Sequence, residues 1–237
     1  MIEPTVVVDA EAAARVCAGR IAAAIARARA ERGVAHVALA GGRTPARAYE
    51  LLASLVADWR EVHLWFGDER CVPLDDSDSN DALLARTLLA ALPAGRPQPM
   101  VHPVTGAGDG DAEAAAAGYE RALRALVPGS PTPILDLALL GLGEDGHTAS
   151  LFPDDPALDE RERLCVPVHG RKPPFERVTL TLPLLRAARA IVVLTAGAGK
   201  ADAVRAMRAG PSPHVPASLL AEGASVELIA DRAAAGA

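Results

Sequence analysis

The segment Gly141-Leu142-Gly143-Glu144-Asp145-Gly146-His147-Thr148 sets three glycines, two carboxylates and one imidazole in eight residues, directly after an apolar run that reads as a buried strand. Three glycines so close together do not serve packing, and His147 falls where the backbone opens. An imidazole with an ordinary pKa of about 6.5 is largely neutral near pH 7 and suits the removal of a proton from water. Asp145 lies two residues away and could orient the ring or stabilise its charged form. That contact needs a tight turn, which Gly143 and Gly146 permit.

Three other loops follow apolar runs in the same way. Gly41-Gly42-Arg43-Thr44-Pro45 lets the backbone approach an anion closely, and Thr44 is placed to cap a helix beginning at Pro45. A Gly-Gly turn into a helix is also common structural punctuation. Gly67-Asp68-Glu69-Arg70-Cys71-Val72-Pro73 carries two carboxylates and a guanidinium, as either a ligand contact or a solvated ion pair. Ala196-Gly197-Ala198-Gly199-Lys200 opens a further helix with a lysine. It is not a P-loop, because the spacing fails and Ala201 replaces the needed hydroxyl. A cation there opposes the helix dipole unless an anion joins it, so Lys200 suits a phosphate. Arg177, at the start of a strand, reads as either a surface residue or a ligand contact.

The elements that must position these loops alternate along the chain. Thr5 to Val8, His36 to Ala40, Val62 to Phe66, Ile134 to Leu140, Val178 to Leu182, Ile191 to Thr195 and Val226 to Ala230 read as strands. Ala10 to Arg32, Pro45 to Ala57, Asn80 to Ala91, Asp111 to Leu126 and Lys200 to Arg208 read as helices. Continuous apolar strands suit a sheet covered on both faces. The fold class is therefore α/β, a Rossmann-like, mostly parallel sheet flanked by helices on both faces. Ligands bind such sheets beyond the carboxyl ends of the strands, where the four loops converge. Pro93 to Asp109, Val127 to Pro133 and Pro153 to Pro174 read as surface connections, and no internal repeat is present. His36 and His63 read as structural; His102, His169 and His214 receive no role.

The 237 residues, half of them apolar, suit one domain over 1-237, with room for a modest subdomain. The net charge of −6 excludes a global basic field for nucleic acid or an anionic membrane, so any positive charge that matters is local. Only Lys172 and Lys200 among the 24 basic residues are lysines. Cys17, Cys71 and Cys165 show neither C-x-x-C spacing nor a histidine cluster, which points to reduced thiols rather than a disulfide framework or a zinc site. With no basic, apolar leader and no apolar run near the roughly 20 residues of a membrane helix, a cytoplasmic protein is expected.

Taken together, the loops resemble the 6-phosphogluconolactonase family, which shares a fold with glucosamine-6-phosphate deaminases. The resemblance runs from Ala40-Gly41-Gly42-Arg43-Thr44-Pro45, through Phe66 to Pro73 with Ser79-Asn80, to Gly141 through Pro153. It continues in Arg177 to Thr181, Gly199-Lys200 and Pro216-Ala217-Ser218. Ser150-Leu151-Phe152-Pro153 and Asp68-Glu69-Arg70 favour the lactonases over the deaminases, which typically carry Asn-Glu-Pro and Asp-Glu-Tyr there. The resemblance implies hydrolysis of 6-phospho-D-glucono-1,5-lactone in the oxidative branch of the pentose phosphate pathway, with His147 as the base that activates water and Asp145 beside it. It implies a substrate and phosphate site from Gly41, Gly42, Arg43, Thr44, Asp68, Arg70, Gly143, Arg177 and Lys200. No metal or organic cofactor and no nucleic-acid or membrane partner is expected, and the chain is expected to be a monomer or small homo-oligomer.

Arg43 stands where the family usually has Ser, and Arg186 where it often has Asn. Backbone N–H groups of the glycine loops or a nearby cation would stabilise the oxyanion. A covalent route is disfavoured, since Ser150 lacks the G-x-S-x-G elbow and no cysteine adjoins a histidine. The alternatives are a glucosamine-6-phosphate deaminase/isomerase and a non-catalytic sugar-phosphate-binding regulator.

Overall fold

The structure, a computed structural model, describes residues 2–237. In chain order the elements are β1 (Pro4–Val7), α1 (Ala10–Arg32), β2 (Ala35–Leu39), α2 (Ala46–Leu55), β3 (Val62–Phe66), β4 (Asp68–Arg70) and α3 (Asn80–Leu84), which continues as a π-turn over Ala85–Leu89. There follow β5 (Met100–Val101), α4 (Ala112–Leu126), β6 (Leu137–Gly141), β7 (Cys165–His169), β8 (Glu176–Leu180) and α5 (Leu182–Arg186). The chain ends with β9 (Ile191–Thr195), α6 (Ala201–Arg208), α7 (Pro216–Leu219), β10 (Val226–Asp231) and α8 (Arg232–Ala235).

Seven strands form one sheet in the order β1-β10-β9-β6-β2-β3-β5, with every pairing parallel. Strand side chains alternate between two cores, as the two-residue period of a strand requires. Val37, Leu39, Leu64, Leu139 and Leu194 face one core with Ile21, Ile25 and Leu52 of α1 and α2. Ala38, Trp65, Leu140 and Val193 face the other with Tyr119 and Leu123 of α4. The α/β class with helices on both faces holds.

α1 begins where Asp9 accepts a hydrogen bond from Ala12 N–H and ends at Gly33, whose N–H returns to Arg29 O. Its buried stripe is mostly alanine, which lets the helix lie close on the sheet and on α2. Among the described residues, no helix is long and apolar enough to cross a membrane.

Five expectations are corrected. The helix after the Gly-Gly turn starts at Ala46, with Pro45 at the N-cap and no side-chain cap, so Thr44 does not cap it. Gly67 to Pro73 is not only a loop, because Asp68–Arg70 is a strand of a second, three-stranded antiparallel sheet ordered β4-β8-β7. The strand near Val178 is real but belongs to that small sheet. Pro153 to Pro174 is not a mere surface connection, since it contains β7 and the buried Leu158, Leu164 and Cys165. Within Pro93 to Asp109, likewise, β5 joins the sheet edge, and Val104 and Ala107 are buried.

On the α4 side of the sheet, toward the amino ends of β2 and β3, three histidines gather around Trp65. His36 and His63 are register partners, His63 Nδ1 lies 2.9 Å from His102 Nε2, and the Trp65 indole N–H donates to His36 Nδ1 at 3.2 Å. Burial, reinforced by the neighbouring imidazoles, pushes His36 down to about 4. Burial and then His63 push His102 down to about 4, and burial also lowers His63. Unfolded, these rings bind protons at higher pH than they do in the folded chain. Their contribution to stability is therefore complete above about pH 6.5 and is lost as the pH falls toward about 4. The melting temperature is expected to drop across that window, with a shallower slope in His36→Gln. A flat profile between pH 7 and pH 4 in the unsubstituted protein would contradict this.

Candidate active site

Three parallel strands, β2, β6 and β9, end beside one another where the chain reverses its direction of travel across the sheet. A crevice at such a point is where an open α/β sheet binds its ligand. Here it is a cleft of about 950 Å³. The Gly41–Pro45 turn after β2, the Gly141–His147 turn after β6 and the Ala196–Lys200 turn after β9 line it, and the small sheet closes it from the side.

The turn after β6 is held by Gly146 N–H to Gly143 O (3.1 Å) and Gly143 N–H to His147 O (2.8 Å). It brings His147 Nδ1 to 2.5 Å from Asp145 Oδ1, which also accepts the His147 backbone N–H at 3.2 Å. Burial alone would raise the Asp145 carboxyl, but the imidazole's charge and these hydrogen bonds outweigh it and hold Asp145 below its ordinary value. An ionised carboxylate only accepts, so Nδ1 carries a proton, and in the neutral ring Nε2 keeps a free lone pair. Gly143 makes this pairing sterically feasible. A Cβ there would lie 2.1 Å from His147 Nδ1 and 2.6 Å from Asp145 Oδ1. The Phe152 ring stands 5.1 Å from the imidazole centroid, and the Arg177 guanidinium lies 5.8 Å from the Phe152 centroid.

The small sheet supplies the opposing wall. Arg70 of β4 and Arg177 of β8 are direct cross-strand partners. Like charges so placed repel, and among the described residues neither has a carboxylate within ion-pairing distance. Backbone carbonyls hold them instead. Arg70 donates to Asp78 O, Arg177 Nε to Pro174 O at 3.0 Å, and Arg177 Nη2 to Lys172 O at 3.3 Å. Arg70 Nε is buried with no partner among the described residues. Burial depresses the Arg177 guanidinium below its ordinary value, only partly offset by the charge of Asp68. Glu69 fixes this wall from behind. It is 1% exposed and accepts N–H groups of Arg70, Asn80 and Asp81, while burial raises its carboxyl.

Every residue assigned to the site from the sequence lines the cleft. Gly41, Gly42, Arg43 and Thr44 lie along one turn, Gly143, Asp145 and His147 along another, and Asp68, Arg70, Arg177 and Lys200 complete the wall. Asp68 is mostly buried, and its Oδ2 accepts the Ser150 hydroxyl at 2.6 Å. Arg186 lies elsewhere, donating to Leu219 O and pairing with Glu222, so it ties α5 to the α7 end. Sequence reasoning missed Arg171, Phe152 and Glu144, and gave Lys172 no role. The scarcity of lysine was the available signal, because both lysines of the chain line this cleft. Six cationic side chains face three carboxylates here, in a chain of net charge −6. No cysteine competes as a nucleophile. Burial pushes Cys17 up to about 12, Cys71 up to about 11, and Cys165 well above its ordinary value.

Fold and cleft together define a Rossmann-like α/β protein with a cleft lined by cationic side chains and an imidazole paired with a carboxylate. The profile of the family described as glucosamine-6-phosphate isomerases/6-phosphogluconolactonase matches residues 8–229, and the chain belongs to that family. It is 42% identical over 207 residues to a 6-phosphogluconolactonase of Mycobacterium tuberculosis, covering 84% of this chain and 83% of that one. To the 6-phosphogluconolactonase of Homo sapiens it is 39% identical over 200 residues, covering 82% and 75%. The solved 6-phosphogluconolactonase from Trypanosoma cruzi superposes with a TM-score of 0.84 at 28% identity, covering 100% of this chain and 96% of that one.

Proposed function

We propose that this protein hydrolyses 6-phospho-D-glucono-1,5-lactone to 6-phosphogluconate, with His147 as general base. The observation that carries the reading is the unpaired Arg70–Arg177 couple facing the same cleft as the Asp145–His147 pair, in a chain 42% identical to a named lactonase. One end of the cleft attracts a dianion and the other activates water. A phosphorylated lactone presents both features.

In this mechanism Arg70, Arg177 and Lys200 bind the phosphate, while Gly41, Gly42, Arg43 and Thr44 complete the pocket. His147 Nε2 takes a proton from water as the oxygen attacks the ring carbonyl, and Asp145 stabilises the imidazolium that results. Collapse of the tetrahedral intermediate breaks the ring C–O bond, and the imidazolium returns its proton to the departing ring oxygen. The new carboxylic acid then ionises. Asp68, fixed by Ser150, supports the wall from which Arg70 projects.

The test compares the phosphorylated lactone with unphosphorylated gluconolactone. Losing one charge-assisted contact costs about 1.5–3 kcal/mol, so Arg70→Ala and Arg177→Ala are each expected to raise KM for the phosphorylated lactone roughly 10- to 150-fold. Gluconolactone kinetics should hardly change. Equal losses on both lactones would overturn the phosphate assignment.

A further inference from the structure

We propose that Asp231 is a positioning residue for the phosphate end of the cleft, setting from beneath the Ala196–Lys200 turn where the Lys200 ammonium stands. The proposal rests on the reading of the cleft given above. Asp231 ends β10, whose Ala230 lies in register with Thr195, the last residue of β9. The carboxylate therefore sits under the turn that β9 feeds. It is 6% exposed and does not line the cleft, so it acts through the turn rather than on the ligand.

Both of its oxygens face the backbone N–H of Gly197, at 3.0 and 3.1 Å, and Oδ1 also accepts Ala234 N–H at 2.7 Å in the first turn of α8. Gly197 holds φ +94° and ψ 148°, a backbone conformation that a side chain rarely tolerates. From this fixed point the chain closes a 3-10 turn over Ala198–Lys200, with Lys200 N–H donating to Gly197 O at 3.0 Å. Lys200 then occupies the N-cap position of α6. Its ammonium has no carboxylate partner among the described residues, and a cation at a helix N-terminus is unfavourable until an anion arrives. A poorly held lysine would swing into water. The Asp231–Gly197 tie restrains the turn that carries it.

The carboxylate has two tasks, capping α8 and holding Gly197, and a shorter side chain separates them. Serine at 231 can still cap α8 but cannot span to Gly197 with two oxygens. Misplacement of a binding group can cost up to about 10²-fold, and Asp231→Ser is expected to raise KM for the phosphorylated lactone about 10-fold. Turnover at saturation and gluconolactone kinetics should stay close to those of the unsubstituted protein, while the melting temperature falls by a few degrees for the lost Gly197 hydrogen bond. Asp231→Asn, which keeps Oδ1 for Gly197 and Ala234, should recover part of the loss. In a Lys200→Ala background Asp231→Ser should add nothing, because the two residues act as one unit.

An unchanged KM in Asp231→Ser overturns the proposal, as does an undiminished effect in the Lys200→Ala background or an equal loss on both lactones. If Asp231→Ser does not fold, the same comparison made with Asp231→Asn decides by the same criteria. Failure of the functional reading looks different. There the unsubstituted protein itself would not distinguish the phosphorylated from the unphosphorylated lactone, and this inference would fall with it.

Discussion

Replacement of His147 by alanine is expected to lower kcat for the phosphorylated lactone by about 10²- to 10⁴-fold, the usual contribution of a positioned general base. KM should change little, since the groups assigned to the phosphate are on other turns. The cause is specific to one nitrogen. Asp145 Oδ1 occupies Nδ1 at 2.5 Å, which leaves Nε2 as the atom that can accept the water proton. No second nucleophile is ready to take over, because Ser150 is buried and donates to Asp68, and burial keeps the three thiols protonated. A kcat within a factor of a few of the unsubstituted value in His147→Ala would sink the general-base assignment. Asp145→Asn should show a smaller loss, since an amide can still meet Nδ1 but no longer offsets the imidazolium charge.

The second large effect comes from a residue with no side chain. Gly143→Ala is expected to reduce kcat by about 10²-fold, the scale of displacing a reacting group by about an ångström. The added Cβ would stand 2.1 Å from Nδ1 and 2.3 Å from Cε1 of His147, far inside any tolerated contact. Backbone strain is not the reason, because Gly143 is not in the left-handed region that glycine favours. The imidazole borders an open cleft and can swing away, so the fold should survive and the melting temperature should move by only a few degrees. Near-normal kcat in a folded Gly143→Ala protein would show that the observed imidazole position is not the working one. Loss of kcat with a cooperative thermal transition intact would support it.

The parallel sheet was legible because its strands carry strong patterns. α1, β3 and β9 occupy the residues expected for them, and the cleft gathers residues chosen for lying just beyond strand ends. The antiparallel sheet was hard to read for physical reasons. β4 is Asp68-Glu69-Arg70, residue types depleted in strands, and β7 contains Pro167, which argues against a strand when only the sequence is in view. Both are strands because β8 pairs with them, and β8 lies more than a hundred residues after β4. The same long-range pairing sets Arg70 opposite Arg177, so the arginine couple emerges only when the sheet assembles. Arg171 and Lys172 reach the cleft from the β7–β8 hairpin for the same reason. α5, α7 and α8 are too short to show a helical period. Asp231 was invisible as a positioning group, since its partners Gly197 and Ala234 are set by the adjacency of β9 and β10.

Lactonase activity is decided by the rate at which purified protein speeds the loss of freshly generated 6-phosphoglucono-δ-lactone, beside unphosphorylated gluconolactone, at mildly acidic pH where spontaneous hydrolysis is slow. Hydrolysis far above background is expected for the phosphorylated lactone, and much weaker acceleration for the other. No acceleration of either, or equal acceleration of both, would contradict it. Ammonia released from glucosamine 6-phosphate by the same preparation would then assign the cleft to the isomerase and deaminase branch of the family.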